Sequence, residues 1–212
     1  MSYVLHDNAR SSNAQKVRFL LAELGETAEL REVPFPYPRP AWHLAVNPLG
    51  GIPALVHGDF VLAESNTVLR YIATRSGDTQ IYPSDLPDRA TVNWLLDAIA
   101  TWLRPALFPV EEAAFGLRAG RGLFAEAPAE DGGADALAKA LPKLRQFEGL
   151  LDKSSPWACC GRFTIADVAA TPVLYRMLKN GLDLSALPRL VEWAEACTAR
   201  PAWAAVAAES GL

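Results

Sequence analysis

No cysteine stands before Cys159, and the three in the chain, Cys159, Cys160 and Cys197, are late and odd in number. That pattern excludes a disulfide framework and fits a reducing compartment. It leaves the N-terminal part without a thiol nucleophile, which excludes disulfide exchange there. The adjacent pair Cys159-Cys160 suits neither a C-x-x-C motif nor a metal, and it reads as buried structural thiols. Histidine is as scarce: His6, His43 and His57 are scattered without ligand spacing, so no metal is expected. Lys and Arg form no run, and a net charge of -4 with pI near 5.4 gives no footprint for nucleic acid. No apolar stretch nears the roughly 18 residues of a membrane span. Met1 to Asp7 shows neither the basic start nor the apolar run of a leader. A cytoplasmic protein, with neither a membrane nor a nucleic acid as partner, is the expectation, and no internal repeat or low-complexity tract competes with it.

What the chain has in quantity is proline and glycine at particular places. Asn47-Pro48-Leu49-Gly50-Gly51-Ile52-Pro53 is a turn that feeds the apolar run Ala54-Leu55-Val56. Gly58-Asp59 is a hairpin signal leading into a second apolar run. Pro53 opens the first of these strands without an N–H for the ladder, so the site exposes backbone to something else. A cis Ile52-Pro53 bond would turn the Ile52 amide and carbonyl toward an extended peptide, a strand-addition site. Glu64 and Ser65 then stand at the start of a helix carrying Val68, Leu69 and Ile72 on one face. The free N–H groups of a helix start accept an anion.

Taken in order, the chain changes character once. Tyr3 to His6 is a short strand, Asp7 to Ser12 a loop, and Ala14, Val17, Leu20, Leu21 and Leu24 mark a helix that Gly25 caps. Leu30 to Val33 is a weak strand, followed by an extended surface crossing through Pro34, Pro36, Pro38 and Pro40. Breaks at Ser76 to Gln80 and Pro83 to Pro87 read as a linker. Beyond them every apolar period is near 3.6, with a kink or stop expected at Pro105 and an irregularity at Pro142. The 212 residues suffice for two unstapled cores. The predicted organisation is an α/β domain over 1–76, a linker over 77–87 and an all-helical domain over 88–212.

Two later motifs are folding signals. Thr164 and Asp167 form a capping box with Asp in place of Glu or Gln, and no chemistry is assigned to them. Pro188 suits the first turn of a helix that Pro201 separates from a short final one.

The chemistry gathers at the first helix start. A thiol attacks as the thiolate, yet a free cysteine titrates near 8.5, so an enzyme using one must stabilise the sulfur anion. A hydroxyl at a helix N-terminus does so by hydrogen bond and by the helix dipole. Ser11 and Ser12 lie there, although a plain N-cap is by itself the commoner use of such a serine.

The N-P-x-G-x-(V/I)-P-x-L turn, the following E-S pair and the S-x-N form of Ser11-Ser12-Asn13 resemble the soluble glutathione transferases. The resemblance extends through Thr164 to Asp167 and the closing helices, and so over nearly the whole chain. It implies a thioredoxin-like N-terminal domain joined to an all-α domain, and glutathione as substrate. It also implies Ser11 as thiolate donor with Ser12 as the alternative, Ile52 and Pro53 at the cysteinyl backbone, and Glu64 and Ser65 at the γ-glutamyl end. Arg39 falls where some relatives reach the glycyl carboxylate, with a solvated arginine as the equal alternative. Gly51 departs from the family, many members having Gln or Lys there. A small electrophile would lie between the domains, where Trp102, Phe108 and Phe115 offer aromatic surface, although core packing is the commoner use of each. The resemblance further implies a homodimer. A non-catalytic glutathione-binding protein of the same fold and a glutathione-dependent isomerase remain as alternatives.

Overall fold

The computed structural model describes residues 2–35, 37–116 and 127–209. Strand β1, Tyr3–Asp7, leads through a loop into helix α1, Ser12–Glu23, and β2, Ala28–Glu32, returns parallel to β1. Parallel neighbours need a crossover, and α1 supplies it. Gly25, at φ 64°, ends α1: Glu26 N–H reaches Leu21 O at 2.9 Å and Gly25 N–H reaches Ala22 O at 3.2 Å, the paired C-terminal bonds that a left-handed glycine permits.

After the proline-rich crossing comes a single helical turn, α2, Ala41–Leu44, which the sequence pattern did not announce. Strands β3, Ala54–His57, and β4, Phe60–Ala63, form the expected hairpin around Gly58. Helix α3, Ser65–Ser76, follows. The sheet order is β2-β1-β3-β4, with β3 antiparallel to β1. Leu5 pairs with Leu30 on one side and Leu55 on the other. This is a thioredoxin-like arrangement, and no described residue beyond Ala63 lies in a strand.

The helical part begins with α4, Leu86–Ala98, two residues ahead of the expected start because Asp85 accepts the Asp88 N–H and Pro87 fits the first turn. Pro105 neither stops nor visibly breaks the helix. A π-helical turn, Ile99–Leu103, in which Arg104 N–H reaches Ile99 O, comes immediately before α5, Arg104–Phe115, and places Pro105 in the first turn of that helix. Helices α6, Ala134–Glu148, α7, Ile165–Lys179, α8, Pro188–Thr198, and α9, Pro201–Ala208, complete the chain. Pro142 is contained within α6. Asp167 closes the capping box at Thr164 N with 2.7 Å and also accepts from Ala158 N and Trp193 Nε1, both at 2.8 Å. It thereby ties three segments of the helical part together.

One hydrophobic core runs through both parts, from Leu5, Leu55 and Ile72 to Leu96, Val173 and Leu174. Helix α1 is buried on two sides, since it lies between the sheet and the helical part: Phe19 meets the rings of Phe163 and Trp203 edge-on. Glu23 takes two hydrogen bonds from Arg200, at 2.7 and 2.6 Å. The C-terminal half of α1 is thus fixed against the helical part.

Candidate active site

Ser11 is the N-cap of α1, with extended backbone and a hydroxyl that accepts from Ala14 N at 3.3 Å. The loop before it is braced at each residue. Asn8 takes Ser11 N–H on its carbonyl at 2.8 Å and sends its side-chain amide to Val33 O at 3.0 Å. Gln15 reaches back to Ala9 O at 2.6 Å, and Arg176 of α7 donates to Arg10 O at 2.7 Å. Arg176 is held in turn by Glu111 of α5 at 3.0 Å, with both side chains at most 4% exposed. Burial raises the Glu111 carboxyl above its usual range, against the pull of Arg176 and Arg104. Ser11 therefore stands on a loop held by the helical part.

The proline turn meets the same helix start. Ile52 packs with Ala14 and Val33 in a small cluster of its own, the Ile52-Pro53 bond is cis, and β3 begins one residue later than Pro53. The Ile52 N–H and C=O have no hydrogen-bond partner among the described residues, so they are free for a ligand. The preceding carbonyl, Gly51 O, is held by Asn47 Nδ2 at 2.9 Å and His43 Nε2 at 3.1 Å. His43 Nδ1 lies 3.0 Å from His6 Nδ1, both rings fully buried. Burial holds His6 down to about 4, with His43 and Arg31 adding to the effect.

Arg39 is not the solvated arginine of one expectation. It is buried at 8% exposure, its Nε donates to Gly50 O at 3.0 Å, and its Nη1 donates to Pro34 O and Phe35 O. Its guanidinium carbon lies 4.4 Å from the centre of the Tyr37 ring. Its Nε and Nη1 thereby hold the turn to the proline-rich crossing.

On the other flank of α1, an interdomain cleft of about 360 Å³ is lined by Ser12, Asn13 and Lys16 of α1 and by Glu64 with the first turn of α3. Asp97, the π-helical turn, Arg104 and α7 close its far side. Glu64 adopts φ 62°, and no side chain caps α3. A left-handed conformation at a non-glycine residue is strained and is kept where the surroundings enforce it. Ser12, Glu64 and Ser65 are therefore brought together around two helix N-termini, while Ser11 caps α1 beside them and Ile52 packs on Ala14 of the same helix.

The aromatic expectations fare differently. Trp102 is 43% exposed and lines a separate groove with Trp94, Phe147 and Leu150, its indole N–H donating to Lys143 O at 3.1 Å. Phe108 lies half-buried under the Arg104 guanidinium, 5.0 Å from carbon to ring centre, and Phe115 is half-buried at the end of α5. None of the three lines the interdomain cleft. Three cations to which the sequence reading gives no role do: Lys16, Arg70 and Arg104. Lys16 was legible in one respect, since it lies four residues after Ser12 on the same helical face. Among the described residues no group of three His, Cys, Asp or Glu is placed to hold a metal.

The chain matches two family models, the glutathione S-transferase N-terminal domain over residues 10–75 and the C-terminal domain over 117–196. It is 28% identical over 199 residues to the glutathione S-transferase GstB of Escherichia coli K12, covering 91% of each chain. It is 30% identical over 200 residues to the maleylacetoacetate isomerase of Rhizobium meliloti, covering 89% of this chain and 87% of that one. Among solved structures, glutathione S-transferase III in its apo form superposes with a TM-score of 0.77 at 28% identity, over 100% of this chain and 98% of that one.

Proposed function

The chain belongs to the glutathione S-transferase family, and from that premise we propose that it binds glutathione along the α1 start and ionises its thiol for attack on a small electrophile. The observation that supports this reading is that α1 is shared: its capped start packs through Ala14 against Ile52 of the cis-proline turn, and its next turn lines a cleft with the α3 start. Ile52 N–H and C=O pair with the cysteinyl part, beside Pro53. Glu64 and the Ser65 N–H take the amine and carboxylate of the γ-glutamyl end. Arg39 contributes by holding the turn.

The Ser11 hydroxyl uses a lone pair for the cap and donates its hydrogen to the sulfur. Helix dipole and hydrogen bond both favour thiolate over thiol. The thiol proton leaves to solvent, the sulfur lone pair forms the C–S bond, and the electron pair of the electrophile moves onto its leaving group or adjacent acceptor. Ser12 is the alternative donor, favoured by its place on the cleft wall. The protein acts as a cytoplasmic homodimer, with an N-terminal domain over 1–76 and a helical domain that opens with α4 at Leu86.

A second reading, glutathione-dependent isomerisation, is supported by the likeness to the Rhizobium isomerase. Calorimetric titration with glutathione, followed by parallel assays of conjugation and of cis–trans isomerisation, tests both. Glutathione binding with neither turnover would leave a binding protein. No binding would overturn the proposal.

A further inference from the structure

Lys16 carries a charge that its surroundings do not balance. It is 4% exposed, and among the described residues its Nζ donates only to Asn66 Oδ1, at 3.1 Å, and forms no ion pair. Asn66 is fixed in that orientation because its Nδ2 donates to Leu96 O at 2.8 Å. The other charged groups around it are mostly committed. On α3 and α4, Arg70 and Asp97 pair at 2.9 Å. On α5 and α7, Glu111 and Arg176 pair at 3.0 Å. That leaves Arg104 facing Lys16 from α5 and Glu64 facing it from the α3 start. Burial first, and then Arg104, pull the lysine down to about 7 against Glu64. A buried ammonium with one amide partner costs the empty fold free energy, and buried charges are ordinarily paired. The uncapped start of α3 aims its N–H groups at the same space.

We propose that Lys16 is a binding residue for a carboxylate of the molecule held in this cleft, with the α3 start as its second partner. The proposal rests on the glutathione reading. The carboxylate comes from one of two sources, the γ-glutamyl end of glutathione or an acidic electrophile joined to it. A carboxylate beside the lysine favours the ammonium form, so binding near neutral pH takes up a proton.

The test is calorimetric titration with S-methylglutathione, whose thioether has no proton to lose, in two buffers of different ionisation enthalpy. At about pH 7, uptake of roughly half a proton per ligand is expected for the parent protein, because a group titrating near neutrality becomes fully charged on binding. Lys16→Met should abolish the uptake and weaken binding about tenfold, the effect of one charge-assisted hydrogen bond. Lys16→Gln, which keeps a donor without the charge, should lose as much. Neither variant should melt below the parent, since each removes an unpaired buried charge.

S-(carboxymethyl)glutathione distinguishes the sources. Uptake and Lys16 dependence with this ligand alone assign the carboxylate to the electrophile, and the same behaviour with both ligands assigns it to the γ-glutamyl end. If both thioethers bind without proton uptake and Lys16→Met changes nothing, the proposal is overturned while the glutathione reading stands. If neither binds the parent protein, the glutathione reading fails and the proposal falls with it.

Discussion

The Ser11 hydroxyl accepts the Ala14 amide hydrogen at 3.3 Å, so the bond that caps α1 occupies an oxygen lone pair and leaves the hydroxyl hydrogen free. Capping a helix and donating to a thiolate are then compatible in one side chain. Ser11→Ala should lose both. Loss of the cap should cost about 1 kcal/mol of stability in urea titration. Loss of a hydrogen bond to the sulfur anion, roughly 1.5 to 3 kcal/mol, should raise the bound thiol by one to two pKa units. Conjugation at pH 7 should fall about 10-fold to 100-fold and partly recover at higher pH, while glutathione affinity persists. Ser12→Ala is the control, and an equal or greater loss there transfers the donor role to Ser12.

Arg176 connects the helical part to the loop before α1 through the Arg10 carbonyl, with Glu111 as its buried counter-ion. Arg176→Met leaves that carboxylate unpaired and should destabilise the fold by roughly 3–5 kcal/mol. The double variant Arg176→Met, Glu111→Met should recover most of that stability, because an apolar pair replaces the ion pair. It still leaves Arg10 O unheld. A drop in kcat of about tenfold in the refolded double variant is expected, since small misplacement of a reacting group is costly. An unchanged kcat would show that the loop keeps its position without the clamp.

The His6–His43 contact makes stability depend on acid. His43 Nε2 donates to Gly51 O, so its Nδ1 accepts and His6 Nδ1 donates, which leaves His6 Nε2 buried without a partner. Both rings are neutral in the fold. A histidine held down to about 4 from a usual 6.5 contributes stability that is complete above pH 6.5 and lost as pH falls toward 4. The urea midpoint should therefore decline across that window. His6→Phe should flatten the decline, and an unaltered slope in that variant would assign it to the carboxylates.

Asp167 accepts from Thr164 N, Ala158 N and Trp193 Nε1 in a site fully closed to solvent. Asp167→Ala strands several buried donors at once and should cost about 3 kcal/mol or more. Thr164→Ala, which removes the cap and one of the hydrogen bonds to Asp167, should cost less, about 1–2 kcal/mol. Glutathione affinity of the folded protein should be unchanged in both, measured by calorimetry below the unfolding temperature. A change in affinity would give this box a part in the site that its position does not suggest.

Several features of the fold were legible because they depend on neighbours in the chain. The Gly25 cap, the Gly58 hairpin, the Thr164 to Asp167 box and the starts of α8 and α9 each involve residues a few positions apart, where backbone preference and hydrogen-bond reach are local. The start of α4 was misplaced by two residues because Asp85 and Asp88 both suit a helix start. The π-helical turn was missed because a proline announces a broken ladder without saying which of several repairs the packing selects.

The same division runs through the site. Ser11, Ser12, Ile52, Glu64 and Ser65 stand out in the sequence because turns and helix starts have compositions that backbone geometry dictates. What Arg39, Trp102, Lys16 and Arg104 do could not be read that way. A long side chain spans enough distance to reach carbonyls, a neighbouring helix or a cleft, and its partners come from segments far apart in the chain. The sequence by itself determined where the backbone turns and where helix N-termini become available. Only the tertiary structure decided which charges find counter-ions and which are left facing the cleft, because pairing of buried charge depends on which distant elements the common core brings within a few ångströms.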